Sequence, residues 1–320
     1  MTKRKLIITR NLNDTLLNNI NEIIPDWEVV VSKDPKAWEH ILSEAEIIAG
    51  WTKEIVSECM EKDSKLQWLQ TWSAGVNSVP LQAFSSKKIS ITSANGVHAF
   101  PISETIFALL LALTRKIHTY VKNQQTKTWE NAGLKLELHR KTIGIIGVGA
   151  IGKETAKIAQ AFGMKVLGVR HSYKEENNVD EMYTTEELNL VLPQCDYVVI
   201  TLPLTKDTYR LFGKEQFQLM KNSAFLVNIG RGDIIVEKEL IEALQNDIIG
   251  GVGLDVFEQE PLSEDSPLWE MDNVIITPHT AGATEYYNER LINDIFIPNL
   301  KSYVRGEKLP INVVDFQKGY

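Results

Sequence analysis

The sequence predicts an α/β protein built from two parallel β-sheets. Short apolar runs alternate with helix-length segments along almost the whole chain, the order that parallel strands with crossover helices require. Most of the runs are continuously apolar, as expected of strands covered on both faces. They fall into two series, separated by a long apolar segment.

The first series comprises KLIIT (5–9), WEVVV (27–31), EIIAG (46–50), QWLQTW (67–72) and ISITSA (89–94). Asp34-Pro35 supplies an N-cap and a first-turn proline for one intervening helix. Trp68 and Trp72 share a strand face by period-two alternation. Trp68 reads as core; Trp72, beside the following loop, reads either as packing or as a limit on ligand size. The segment PISETIFALLLALTRKIHTY (101–120) is expected to form one connecting helix. The second series is TIGIIG (142–147), KVLGVR (165–170), DYVVIT (196–201), AFLVNI (224–229), GVGLDV (251–256) and NVIIT (273–277). No low-complexity linker divides the series, so a packed hinge is expected at their boundary.

At 320 residues the chain can bury a core in each of two domains. A net charge of −8 argues against a general nucleic-acid binder. Cys59 and Cys195 lie far apart in apolar surroundings, without metal-ligand or redox spacing, and read as buried thiols of a reducing compartment. The apolar run in MTKRKLIITR is too short for a signal peptide, and IFALLLAL (106–113) is far short of a membrane span. A cytoplasmic protein with no membrane and no nucleic-acid partner is expected.

GVGAIG (147–152) follows a predicted strand and opens the helix AIGKETAKIAQAFG. Gly147 can turn tightly, Gly149 lets backbone approach a pyrophosphate, and Gly152 lets the helix pack on its strand. The amides at Ala150, Ile151 and Gly152, with the positive end of the helix dipole, suit phosphates. With strand, helix and next strand in the required order, the fingerprint predicts a Rossmann-like dinucleotide site. At the end of the second strand an acid would bond the ribose of NAD, whereas the chain has Arg170, eighteen residues beyond Gly152. Arginine favours the 2′-phosphate of NADP, with His171, Ser172 and Lys174 as further donors; Glu175 and Glu176 work against it. NADP is therefore the expected cofactor, with NAD the alternative.

Three further polar groups leave the C-terminal edges of buried strands. Arg231, flanked by glycines in NIGRGD, can clamp a carboxylate through two parallel hydrogen bonds. GLDVFEQEPL (253–262) carries Asp255, Glu258 and Glu260, and NVIITPHTAGAT (273–284) carries His279. Histidine is the natural proton donor near neutral pH, and a carboxylate partner fixes its ring.

In order and spacing, WSAGVNSVP, GVHAFPISE, GIIGVGAIGKETAKIAQAFGMKV, TLPLTKDT, NIGRGDIIVEKELIEAL, GLDVFEQEP and TPHTAGAT resemble the D-isomer-specific 2-hydroxyacid dehydrogenase family, in its glyoxylate/hydroxypyruvate reductase-like branch. The resemblance implies two domains of Rossmann-like and flavodoxin-like type. The cofactor domain (98–285) would be inserted into a substrate domain (1–97 plus 286–320), and a last helix at roughly 286–303 would return to the N-terminal unit. It implies a homodimer acting on a small 2-keto or 2-hydroxy acid.

It also implies roles for individual residues. Arg231 would bind the substrate carboxylate, His279 would be the acid/base, and Glu260 would hold His279 in its proton-donating form. The amides of Ala74 and Gly75 would meet the carboxylate, and Asp255 would face the nicotinamide carboxamide. Leu202, Pro203, Thr208 and the backbone at Asn228, Ile229 and Gly230 would line the cofactor. Asn77 stands where many relatives have aspartate, and Arg140 where glycine often precedes the first cofactor-domain strand. His98 is not read as catalytic. The competing functions are a dinucleotide-sensing, corepressor-like binding protein of the same fold and a phosphite or formate dehydrogenase.

Overall fold

The computed structural model describes residues 3–317 except 53, 54, 56, 57, 61, 62 and 77, so the Asn77 departure lies outside the described residues. The chain divides into two compact units, Met1–Val97 with Thr284–Tyr320, and His98–Ala283. The second is thus inserted in the sequence of the first.

In the first unit, β1 (Lys5–Ile8), β2 (Glu28–Val31), β3 (Ile47–Ala49), β4 (Trp68–Gln70) and β5 (Ser90–Thr92) form one parallel sheet in the order β2-β1-β3-β4-β5. That order is flavodoxin-like. Asp34 caps its segment as expected, accepting from the Lys36 amide at 3.1 Å, but the product is only the 3-10 turn Pro35–Ala37. Trp68 is fully buried, stacked on Phe296 with centroids 5.1 Å apart, and its indole donates to Thr92 Oγ1 at 2.8 Å.

Phe296 belongs to the returning C-terminal helix, which carries Leu291, Ile292, Ile295 and Leu300 into the same core as Leu6, Ile8 and Ile47. Between Tyr287–Arg290 and Ile297–Val304 the helix widens to a π-turn, Leu291–Phe296. Pro298 follows one residue after it; proline has no N–H to donate, and its ring would press on the carbonyl four residues back in a regular α-turn.

The second unit contains β6 (Thr142–Ile146), β7 (Lys165–Arg170), β8 (Glu181–Thr184), β9 (Tyr197–Ile200), β10 (Phe225–Asn228), β11 (Gly251–Leu254) and β12 (Val274–Ile276). All run parallel, in the order β8-β7-β6-β9-β10-β11-β12. This is the Rossmann order with one added strand, and it reverses direction at β6 and β9, where α/β sheets bind dinucleotides. Strand β8 has no counterpart among the predicted runs. EMYT sits at the sheet edge, none of its residues is fully buried, and so it needs no apolar run.

Both faces of this sheet are covered. Ile143, Ile145 and Val199 point to one core with Ile106, Leu110 and Leu113 of the helix Ala99–Thr114. Ile146, Val198 and Ile200 point to the other, with Phe212 and Leu240. The predicted single connecting helix is in fact two, Ala99–Thr114 and Ile117–Thr126, broken at Lys116 with φ +55°. Arg140 also takes a left-handed φ of +60°, the backbone shape that a glycine would adopt at lower cost.

Candidate active site

The turns that leave β6, β9 and β10 meet by backbone contact. A side chain on Gly147 (φ +113°) would lie 2.9 Å from the Leu202 amide nitrogen, and one on Gly230 would lie 2.7 Å from the Leu202 carbonyl oxygen. Gly152 is equally committed, since a Cβ there would come within 2.4 Å of the Gly147 oxygen. Gly149 differs from all three: nothing lies within 4 Å of where its Cβ would stand. Two glycines of the fingerprint therefore serve chain packing, and the middle one borders open space at the start of the helix Ala150–Ala161. The amides of Ala150, Ile151 and Gly152 have no acceptor within that helix. An open, amide-lined space bounded by a glycine fits a dinucleotide pyrophosphate.

Leu202 is buried and Pro203 exposed. Thr208, buried, braces their loop by donating to the Pro203 carbonyl at 2.7 Å and accepting from the Thr205 amide at 2.8 Å.

Arg170 ends β7, and its Nη1 is 2.8 Å from Glu176 Oε1. Glu176 also holds Lys153 at 2.8 Å and Lys174 at 3.6 Å. The Lys153 ammonium, with help from Lys174 and Arg170, keeps the Glu176 carboxyl below the usual carboxylate range. Lys153 escaped the sequence reading because it lies on the glycine-loop helix, seventeen residues before Arg170. Only the fold joins them.

At the ends of β10, β11 and β12 the structure assembles the second group of predicted residues. Asn228, buried, donates to the Arg231 carbonyl at 3.0 Å and accepts from the Gly230 amide at 3.0 Å, closing the turn that presents Arg231. The Arg231 guanidinium is exposed and donates from Nη1 to the Gly230 carbonyl at 2.6 Å. Next in sequence, Gly232 admits no side chain, because a Cβ there would fall 1.9 Å from the Phe257 carbonyl. The Arg231 turn is thereby seated on the turn after β11. Glu237 and Glu258 lock that contact by exchanging bonds with each other's amides, both at 3.2 Å. Glu258 is thus structural, and burial, together with the Glu258 charge, pushes the Glu237 carboxyl up.

His279 Nδ1 lies 2.7 Å from Glu260 Oε2, while Glu260 Oε1 accepts from the Phe257 amide at 3.1 Å. The imidazole is half exposed, so its second nitrogen can be reached. His279 itself has φ +52°, and Asp255 holds the turn in that shape. Buried Asp255 accepts from Thr277 Oγ1 (2.6 Å), the Thr280 amide (2.9 Å) and the Ala281 amide (3.1 Å to Oδ2). The motif TPHTAGAT thus contains its own scaffold as well as a histidine. His98, also in this unit, bonds the Gly282 carbonyl at 2.9 Å and braces the same loop. In the first unit, Ala74 and Gly75 lie in the loop after β4, where Ser73 Oγ donates to the Gly75 carbonyl at 2.6 Å.

Residues 107–281 match the family model for the D-isomer specific 2-hydroxyacid dehydrogenase, NAD binding domain. The chain belongs to this family. It is 35% identical over 292 residues to glyoxylate/hydroxypyruvate reductase B of Escherichia coli (strain SMS-3-5 / SECEC), covering 88% of this chain and 89% of that protein. A D-isomer specific 2-hydroxyacid dehydrogenase family protein from Aeromonas salmonicida superposes with a TM-score of 0.84 and 33% identity, covering 98% of this chain and all of that one. The NADPH-dependent glyoxylate/hydroxypyruvate reductase of Sinorhizobium meliloti, solved with NADP and sulfate, gives 0.82 and 28%, over 99% of this chain and 100% of that one. This family member is an NAD(P)-dependent oxidoreductase. No helix among the described residues is long and apolar enough to cross a membrane.

Proposed function

We propose that the enzyme reduces a small 2-keto acid of the glyoxylate or hydroxypyruvate type to the 2-hydroxy acid, of D configuration where a stereocentre forms, and prefers NADPH. The observation that carries this reading is the 2.7 Å His279–Glu260 pair on a turn held by Asp255.

A bound reduced nicotinamide supplies the hydride. Arg231 anchors the substrate carboxylate and, as a fixed cation, stabilises the charge that grows on the keto oxygen. With Nδ1–H donated to Glu260, Nε2 of His279 carries the proton that this oxygen takes up, and receives it back in oxidation. Glu260, itself tied to the Phe257 amide, keeps the ring aimed. Asp255 fixes the turn beside the nicotinamide. Leu202, Pro203, Thr208 and the Asn228–Gly230 backbone line the cofactor.

The preference for NADPH rests on Arg170, Lys153 and Lys174, whose three charges exceed the single charge of Glu176. A homodimer is supported by the exposed Ile117, Val121, Leu134 and fully exposed Trp129, apolar surface that a partner would cover. Buried, unpaired Cys59 and Cys195 suit the cytoplasm.

The test is a panel of 2-keto acids with NADPH and NADH. Faster turnover of glyoxylate or hydroxypyruvate with NADPH is expected. Nucleotide binding without turnover of any keto acid would favour a dinucleotide-sensing binding protein instead.

A further inference from the structure

We propose that Glu176 is a built-in counter-ion that occupies the place of a nucleotide 2′-phosphate and sets how strongly the enzyme discriminates NADP from NAD. The inference rests on the nucleotide reading of this unit given above. Its basis is the convergence of three cations from three segments on one carboxylate. Lys153 comes from the helix that follows the glycine turn, Arg170 from the last position of β7, and Lys174 from the irregular segment that also carries Glu176.

The Glu176 side chain is only 9% exposed, whereas those of Arg170, Lys153 and Lys174 are 30%, 46% and 66% exposed. The carboxylate is therefore the inner member, and the cations form an open rim around it. One carboxylate leaves this rim two charges short of neutral, a deficit that one phosphate dianion would fill. The donors are of the kind that phosphate takes, a planar guanidinium fork and two ammonium groups.

A 2′-phosphate and Glu176 need the same donors, so binding of one weakens the hold on the other. A ribose hydroxyl carries no charge and makes no such demand. It leaves the Glu176 ion pairs in place. Glu176 thus lowers the advantage that the three cations give to NADP, without acting on the glycine-turn amides that serve both nucleotides. Glu175, its exposed neighbour, has no part in the cluster.

The experiment is a calorimetric titration with 2′,5′-ADP and with 5′-AMP, fragments that carry the discriminating group but cannot be turned over. Wild type, Glu176→Gln and Arg170→Ala are compared, with thermal unfolding as the check on folding. Glu176→Gln should bind 2′,5′-ADP about three- to tenfold more tightly, the range for releasing a few partly exposed ion pairs. It should bind 5′-AMP as wild type does. Arg170→Ala should weaken 2′,5′-ADP alone. Weaker 2′,5′-ADP binding in Glu176→Gln would mean that Glu176 orients Arg170 for the phosphate, and would overturn the proposal, as would unchanged binding. Failure of both fragments to bind wild type would remove the nucleotide reading and this inference with it.

Discussion

The two ends of the ligand edge on the seven-stranded sheet are built from different materials. After β10, β11 and β12, the functional side chains are placed by bonds to backbone. Asn228 closes the Arg231 turn, Asp255 collects the Thr280 and Ala281 amides, and Glu260 is tied to Phe257. After β7, charge alone holds the cluster together, through Lys153, Arg170 and Lys174 on Glu176. Backbone-anchored groups cannot change partners unless a whole turn moves, whereas ion pairs can be exchanged for a ligand anion. On the proposed reading, the reaction geometry is rigid where protons and hydride must meet, and the cofactor choice rests on contacts that can be swapped.

This contrast can be broken at either end. The largest effect belongs to His279. On the proposed mechanism, replacing it with asparagine removes a positioned acid worth about 10²–10⁴-fold in turnover, and NADPH affinity should stay at the wild-type value. Steady-state rates and a parallel NADPH titration check both halves; near-normal turnover would remove His279 from the mechanism.

Asp255→Ala tests the scaffold. It strands the Thr280 and Ala281 amides and the Thr277 hydroxyl, at a cost of about 1–3 kcal/mol for each donor left buried and unpaired. A lower melting temperature and a lower kcat should appear together. A loss of activity at full stability would instead mean that Asp255 acts directly on the ligands.

The smallest effect is at Glu176. The Lys153 ammonium foremost, with Lys174 and Arg170, depresses the folded-state value of this carboxyl below the unfolded one. Its stabilisation is complete above the ordinary glutamate range and is lost as the pH falls through the depressed folded value. Melting temperature should fall less steeply on the acid side in Glu176→Gln than in wild type. Parallel acid limbs would show that the cluster adds nothing to stability.

Much of this could be read from the residues. Apolar runs marked eleven of the twelve strands among the described residues, most of them continuous because burial on both faces leaves little room for polar residues; β8, a sheet-edge strand with no fully buried residue, has no such run. GVGAIG was legible because glycine alone survives where Gly147 and Gly152 touch backbone. Arg231, Glu260 and His279 stood out through their chemistry at strand ends. The scaffolding did not, because Asp255 supports a turn more than twenty residues away, Gly232 fits against Phe257, and Lys153 reaches Glu176 only once β6 and β7 are paired. Such contacts are products of the fold and leave no local pattern in the chain. The break at Lys116 is hidden for a related reason: the segment is helical on either side of a single left-handed residue.

The central claim is that this site carries out hydride and proton transfer to a 2-keto acid. The most direct measurement is a chiral product assay of the purified enzyme with NADPH and hydroxypyruvate. The account predicts D-glycerate formed in the same amount as NADPH consumed. L-glycerate, or NADPH that binds without being consumed, would contradict it.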